Sequence, residues 1–160
     1  MRAIHISLLF HIIGIGLIFT TMVAGWILDG QYRNASDWKM KGVILKSLRP
    51  VGLLSPVAVF VMIASGIGNM TLGYRTYTLF SDSWLTYKLV FFLVLMVSGI
   101  FLGARSSRRG KLVAELADGK ASGEAAAKIR ALDNQQRIGY IFQAVLLLVI
   151  LILSIVKPEA

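Results

Sequence analysis

The sequence predicts an all-α integral membrane protein, a bundle of four transmembrane helices. Apolar residues make up 56% of the 160 residues, whereas a soluble domain usually has about 45–50%. The mean hydropathy is +0.72. The charged residues are concentrated between four long apolar stretches, each with at most one charge and of about the length that crosses a bilayer as a helix. We therefore expect one membrane domain over residues 1–160.

The first helix is predicted at about residues 4–28, because no Asp, Glu, Lys or Arg occurs between Arg2 and Asp29. Its apolar run is longer than the apolar core of about 7–15 residues that is typical of a cleaved signal peptide, so we expect it to be retained. The second helix is predicted at about residues 52–73, within the next uncharged stretch.

The third helix is predicted at about residues 84–104, where Lys88 is the only charged residue, and the fourth at about residues 138–156, which carry no charge. Strands are the rival interpretation, since Ile and Val are abundant. Apolar runs of about 20 residues without regular turn signals favour helices over a barrel. The connection at 105–137 is expected to be cytoplasmic and partly helical, because Glu124 and Lys128 have the favourable i, i+4 order.

The basic residues indicate the orientation of the bundle. They lie mainly in the first and third connections, which are on the same side of a four-helix protein, and that side is expected to be cytoplasmic. Both termini then face the periplasm of a bacterial inner membrane. The formal net charge of +9 reflects this topology and attraction to anionic lipid, and we find no nucleic-acid-binding module. Arg108 and Arg109 are interpreted as part of a topology anchor.

Several kinds of chemistry are excluded by composition. The chain has no cysteine, so it has no disulfide, thiolate metal site or cysteine nucleophile. No carboxylate lies in any span, which excludes a Ser-His-Asp triad or paired carboxylates there. The histidines and charges within the spans are His5, His11 and Lys88, and such residues are costly in a membrane.

Three polar side chains from three helices are expected at a similar depth near the outer leaflet. His5 and Lys88 each lie about one turn inside their helices, and Asn69 lies near the outward end of the second. We predict that these three residues form one site. His11 lies about 9 Å deeper than His5 and about 120° away around the helix, so the two histidines cannot bind the same small ligand.

A neutral imidazole is a good ligand for haem iron. Because both histidines are on one helix, haem held by two histidines of a single chain is not predicted. This leaves a haem b bound by His5, or alternatively His11, with a different second ligand or none. The structural alternatives are an interfacial His5, a His11 that bonds a helix carbonyl, and a Lys88 that extends to the headgroups.

Four stretches of the chain resemble the HemJ-type protoporphyrinogen oxidases, small four-helix membrane proteins of bacteria. These are Arg2-Ala3-Ile4-His5, Leu54-Ser55-Pro56, Ser83-Trp84-Leu85-Thr86-Tyr87-Lys88-Leu89 and Arg130-Ala131-Leu132-Asp133. Thr86 stands where the family motif has a histidine. The resemblance implies that His5 binds haem b and that Lys88 is a catalytic residue. Copper-resistance membrane domains of the CopD type are also similar.

The sequence therefore leaves more than one function open. The first is a haem b protein of the inner membrane that oxidises a porphyrinogen or transfers electrons, with His5, Asn69 and Lys88 around the cofactor. The alternative is a non-catalytic accessory or scaffold subunit of a larger respiratory or photosynthetic complex. Copper handling ranks last, because the methionines are scattered. In each case we expect contact with lipid and with other membrane subunits or a second copy.

Overall fold

A computed structural model describes residues 2–72, 83–120 and 123–156. It contains helices α1 (Ala3–Asn34), α2 (Trp38–Leu72), α3 (Ser83–Ala117) and α4 (Gly123–Val156), and no strand occurs within those ranges. Each helix is long and apolar enough to cross a membrane. The predicted all-α, four-helix fold class is confirmed, and the helices support a multi-pass membrane protein.

The helices extend well beyond the apolar stretches that predicted them. The chain from residue 105 to residue 137 is mostly helical, because α3 continues to Ala117 and α4 starts at Gly123. A helix of 35 residues is about 52 Å long, whereas the hydrocarbon core is about 30 Å thick. Hydropathy marks only the part of a helix that crosses lipid. The polar ends are rich in Lys, Arg, Glu, Ala and Leu, which continue a helix readily.

The four helices form two antiparallel hairpins with a seam between them. Helix α1 packs mainly against α2, and α3 packs mainly against α4, whereas the backbones of α1 and α4 come close at few positions and these helices meet mainly through side chains. Only three residues separate α1 from α2, a connection that favours antiparallel neighbours. We call the end of the bundle that holds the start of α1 and of α3 the outer end, after the predicted topology, and the opposite end the inner end.

Each half of the bundle has its own small core. Leu95, Leu146, Leu147 and Ile150 form the core towards the outer end. Tyr32, Val113 and Ile129 form the second core at the inner end. Many other large apolar side chains are exposed, as expected for side chains that face lipid.

Glycines allow close helix approach at particular positions. A Cβ at Gly139 would collide with Leu102 across α3 and α4, and one at Gly14 would lie 2.9 Å from Met62 of α2. In the GxxxG sequence of α3, Gly99 faces Gln143, but nothing lies within 4 Å of a Cβ placed at Gly103. Within residues 2–72, 83–120 and 123–156, only Gly99 of this pair therefore allows a close contact with another helix.

Candidate functional site at the outer end

A small cavity of about 20 Å³ lies in the seam between the hairpins. All four helices contribute to its wall. The polar side chains of the wall are His11, Lys88 and Ser154, and the remainder is apolar, including Met62 and Phe92. A histidine and a lysine thus share one apolar chamber within the predicted membrane region, where such residues are rare and usually functional.

His11 is anchored to α2 through Ser65. The His11 Nδ1 and the Ser65 Oγ are 2.9 Å apart, and the Ser65 hydroxyl also lies 2.6 Å from the carbonyl oxygen of Val61. One turn earlier in α1, Ser7 donates a hydrogen bond of 2.9 Å to the main-chain carbonyl of Ser65. Ser65 is buried and forms hydrogen bonds with both Ser7 and His11 of α1. These bonds fix the register of α1 against α2 at this level of the bundle.

The predicted site residues do not all meet at this cavity. Lys88 lines it together with His11, whereas His5 is exposed and is not part of its wall. Asn69 is half-buried near the end of α2, and its Oδ1 is buried without a hydrogen-bond partner. The structure therefore brings Lys88 together with the deeper histidine. The rotation of about 120° between the histidines explains why only one of them faces the seam.

The donor chemistry of this site fits haem, but its volume does not. The imidazole of His11 uses Nδ1 in its bond to Ser65, so Nε2 is the nitrogen that would hold an iron atom. A cavity of about 20 Å³ has room for one water molecule, whereas pockets for ligands of drug size are about 300–1,000 Å³. A porphyrin does not fit between the hairpins as they are packed here.

A second polar cluster, which the sequence analysis missed, lies at the inner end. Arg109 of α3 is 1% exposed, and its NH1 donates to Asp29 of α1 at 2.7 Å and to Asp133 of α4 at 3.2 Å. Arg33 of α1 bonds the Asp29 carboxylate at 2.8 Å and the main-chain carbonyl of Asp133 at 3.0 Å. We call Asp29, Arg33, Arg109 and Asp133 the inner ion cluster.

The interpretation of Arg109 as part of a topology anchor is therefore incomplete, since it is a buried link between the hairpins. The one feature of the sequence that could have indicated an ion pair here is Asp29. This acidic residue ends the first uncharged span, on the side of the membrane where basic residues prevail. Nothing in the sequence points to Arg109 as the partner of Asp29, because the two residues are 80 positions apart.

An aromatic side chain supports the charge of the cluster. The Arg109 guanidinium carbon lies 4.4 Å from the ring centroid of the fully buried Tyr32, a cation–π arrangement. Burial acts against the charge of Arg109, but its hydrogen bond to Asp29 and the charges of Asp29 and Asp133 raise the pKa of the guanidinium above its ordinary value. Burial raises the pKa of the Asp133 carboxyl, although Arg109 acts in the opposite direction.

No known protein family, no curated protein and no solved structure matches this chain. The resemblance to HemJ-type oxidases thus rests on the motif residues alone. Within the residues that the structure describes, no group of three or more His, Asp and Glu side chains could hold a metal ion. The seam at the outer end holds the histidine and the lysine that lie within the predicted spans and line one cavity.

Proposed function

We propose that the protein is a haem b-binding oxidoreductase of the bacterial inner membrane, with both termini in the periplasm and His11 as an iron ligand. The observation that carries this proposal is the presence of His11 and Lys88 in the wall of one apolar cavity in the membrane region. Haem supplies one-electron chemistry when bound, and Lys88 would pair with a propionate group. Porphyrinogen oxidation or electron transfer is the activity that the resemblance favours.

The proposal requires the hairpins to separate at the outer end, since the packed seam does not hold a porphyrin. This requirement suits the site, because the packing between the hairpins around the cavity is mainly apolar. Apolar side chains can exchange contacts with a neighbouring helix for contacts with lipid or with a porphyrin at little cost.

Absorption spectra of the full chain, purified in detergent with and without added haem, test the proposal. A Soret band is expected in the wild-type protein and in His5→Ala, and its loss is expected in His11→Ala. The two histidine variants are matched controls for each other. Haem lost in His5→Ala and kept in His11→Ala would instead support the assignment that the resemblance implies, and would contradict the role of the seam.

Lys88 has a separate test within the same experiment. Lys88→Arg keeps a positive charge on a long side chain but cannot reproduce a compact ammonium group, so a lysine that only extends to the headgroups tolerates the change. We expect Lys88→Arg to fold and to alter the haem spectrum or activity. Unchanged spectra and activity in both Lys88→Arg and Lys88→Met would remove Lys88 from the site.

The second candidate is an accessory subunit of a larger membrane complex, and the small volume of the cavity favours it. Among the residues that the structure describes, Cβ atoms at Gly16 and Gly103 would meet nothing within 4 Å, so neither glycine packs against another helix there. Absence of a Soret band after haem supplementation, together with large subunits that co-purify from native membranes, would favour this function over the first.

A further inference from the structure

We infer that the inner end of the bundle carries a binding surface for anionic phospholipid headgroups, formed by exposed arginines on three different helices. We call Arg49 of α2, Arg108 of α3 and Arg137 of α4 the inner arginine belt. Each of the three side chains is exposed. Lipid held by the belt contacts the outside of the bundle, so its binding does not depend on the seam or on haem.

Two of these arginines are placed at one level by the inner ion cluster. Arg108 directly precedes Arg109, and Arg109 bonds Asp133 of α4. Arg137 is four residues from Asp133, which is about 6 Å along the helix. Arg108 and Arg137 therefore lie within about 6 Å of the level of the inner ion cluster, on its outward side.

The level of Arg49 follows from the register of the first hairpin. His11 of α1 contacts Ser65 of α2, and the two helices are antiparallel. Arg49 is 16 residues from Ser65, and Ile27 is 16 residues from His11, so Arg49 and Ile27 lie at the same level. Ile27 is only two residues from Asp29 of the inner ion cluster. All three belt arginines thus lie at nearly one height.

This height is where the apolar surface of the bundle ends. Leu53, Phe101 and Ile138 are large exposed apolar residues, and each lies within seven residues of the belt arginine of its own helix, on the outward side. On α1, Trp26 is exposed at the same height, and tryptophan is enriched where a membrane meets water. The guanidinium groups can therefore reach the level of lipid headgroups, since the apolar stem of arginine can lie along the lipid-facing surface.

The positive charge of the belt is not neutralised by the acidic residues beside it. Asp29 and Asp133 both point to the buried Arg109, and Asp29 also bonds Arg33. Among residues 2–72, 83–120 and 123–156, the ion pairs use other cations than the three belt arginines. At this level, the acidic charge thus lies inside the bundle and unpaired positive charge lies on its surface.

The distribution of the arginines favours lipid over a soluble partner. A nucleic acid or an acidic protein approaches from one side, whereas the exposed faces of three helices of a bundle point in different directions. A lipid leaflet surrounds the bundle and presents phosphate groups to all of these faces. The planar fork of a guanidinium pairs well with phosphate oxygens, and basic residues near a membrane surface are attracted to lipids of net negative charge.

The full chain, reconstituted in vesicles of phosphatidylcholine, allows a direct measurement of lipid preference. Trace amounts of spin-labelled phosphatidylglycerol or spin-labelled phosphatidylcholine are added, and electron paramagnetic resonance gives the fraction of each lipid that is immobilised by the protein. We expect a several-fold preference for phosphatidylglycerol in the wild-type protein. The triple variant Arg49→Gln, Arg108→Gln, Arg137→Gln should bind the two lipids equally, and each single variant should lose part of the preference.

The matched control is the triple variant Lys39→Gln, Lys120→Gln, Lys128→Gln, which also removes three exposed positive charges. Lys39 and Lys128 lie nine or ten residues, or about 14 Å, beyond the belt arginine of their helix, and Lys120 follows the end of α3. These distances exceed the screening length of about 10 Å at about 0.1 M salt, so the control should keep its preference. In the wild-type protein, about 1 M sodium chloride should abolish the preference, because the screening length then falls to about 3 Å.

Several outcomes would overturn the inference. One is equal binding of the two lipids by the wild-type protein at low salt, and another is an equal loss of preference in the two triple variants. A preference that the belt variant keeps would leave these arginines to an acidic soluble partner. A stronger effect of sodium phosphate than of sodium chloride at equal ionic strength would assign the belt to a soluble phosphate compound. If the belt variant does not fold, the salt series and the single variants decide, and a preference unchanged in both overturns the inference.

Discussion

The two ends of the bundle join the same two hairpins by different physical means. At the inner end, Arg109 of the second hairpin is held between Asp29 of α1 and Asp133 of its own hairpin. At the outer end, the seam is packed by apolar side chains around a small cavity with His11 and Lys88 in its wall. The inner end therefore defines one arrangement of the hairpins, whereas the apolar contacts at the outer end are less specific.

The difference follows from the surroundings of each end. Lipid tails are as apolar as Leu or Ile, so apolar packing gives helices in a membrane little net drive to associate. A buried ion pair adds little net stability over apolar residues, but the loss of one partner is costly because it leaves an unpaired charge. The inner ion cluster therefore specifies how the hairpins align, whereas the apolar seam at the outer end adds little to that specificity.

The largest expected effect concerns which end faces the cytoplasm. A reporter fused after Gly110, at the inner end, should give a fully cytoplasmic signal, and one fused after Thr76, in the second connection, a fully external signal. Alkaline phosphatase and a fluorescent protein report opposite sides and serve as controls for each other. The reverse pattern would place His11 and Lys88 near the cytoplasmic leaflet.

The next effect is on stability at the inner end. Arg109→Leu removes the buried partner of two carboxylates and leaves Asp29 paired with Arg33 alone, and we expect a loss of about 3 kcal/mol in the free energy of unfolding in detergent. The double variant Arg109→Leu, Asp29→Leu should recover part of this loss, because the buried Asp29 charge is removed as well.

Lys128→Ala is the control for this experiment, because the Lys128–Glu124 pair is exposed and should have no measurable effect on unfolding. Equal stability of Arg109→Leu and Lys128→Ala would show that the inner ion cluster does not hold the hairpins in place.

A smaller effect distinguishes packed from open glycines. Gly139→Ala forces Leu102 to move at the contact between α3 and α4, and overpacking of this kind costs about 1–3 kcal/mol. Gly103→Ala meets open space and improves helix propensity by up to about 1 kcal/mol. Unfolding of both variants in detergent tests the difference. A destabilising Gly103→Ala would indicate that this glycine packs against a neighbouring subunit.

The smallest effect is a difference in motion between the two ends. The absence of native cysteines allows spin labels at exposed cysteine pairs, Ile6→Cys with Val90→Cys at the outer end and Asn34→Cys with Lys111→Cys at the inner end. Pulsed electron paramagnetic resonance should show a broader distance distribution for the outer pair, with a further shift when haem is added. A broader distance distribution for the inner pair than for the outer pair would show that the inner end is the more mobile one.

The residues at the outer end could be predicted from the sequence only in part. The sequence alone indicated Lys88 and both histidines, because an ionisable residue in an apolar span stands out. It favoured His5, on the basis of depth and motif position, whereas the structure places His11 beside Lys88. Depth can be counted along a chain, but the side of a helix that faces the seam depends on how α1 rotates against α2, and the contacts of Ser7 and Ser65 decide that rotation.

The sequence by itself determined the four helices and their membrane-crossing character, because hydropathy and charge act over about 20 neighbouring residues. It also indicated an orientation, which depends on a count of basic residues in the connections. Only the tertiary structure decided that Arg109, which the sequence indicated as part of a topology anchor, is also a buried link to Asp29. That contact joins residues 80 positions apart, and no local property of either one specifies the other. The pairing exists because the hairpins bring the two charges together where leaving either unpaired would be costly.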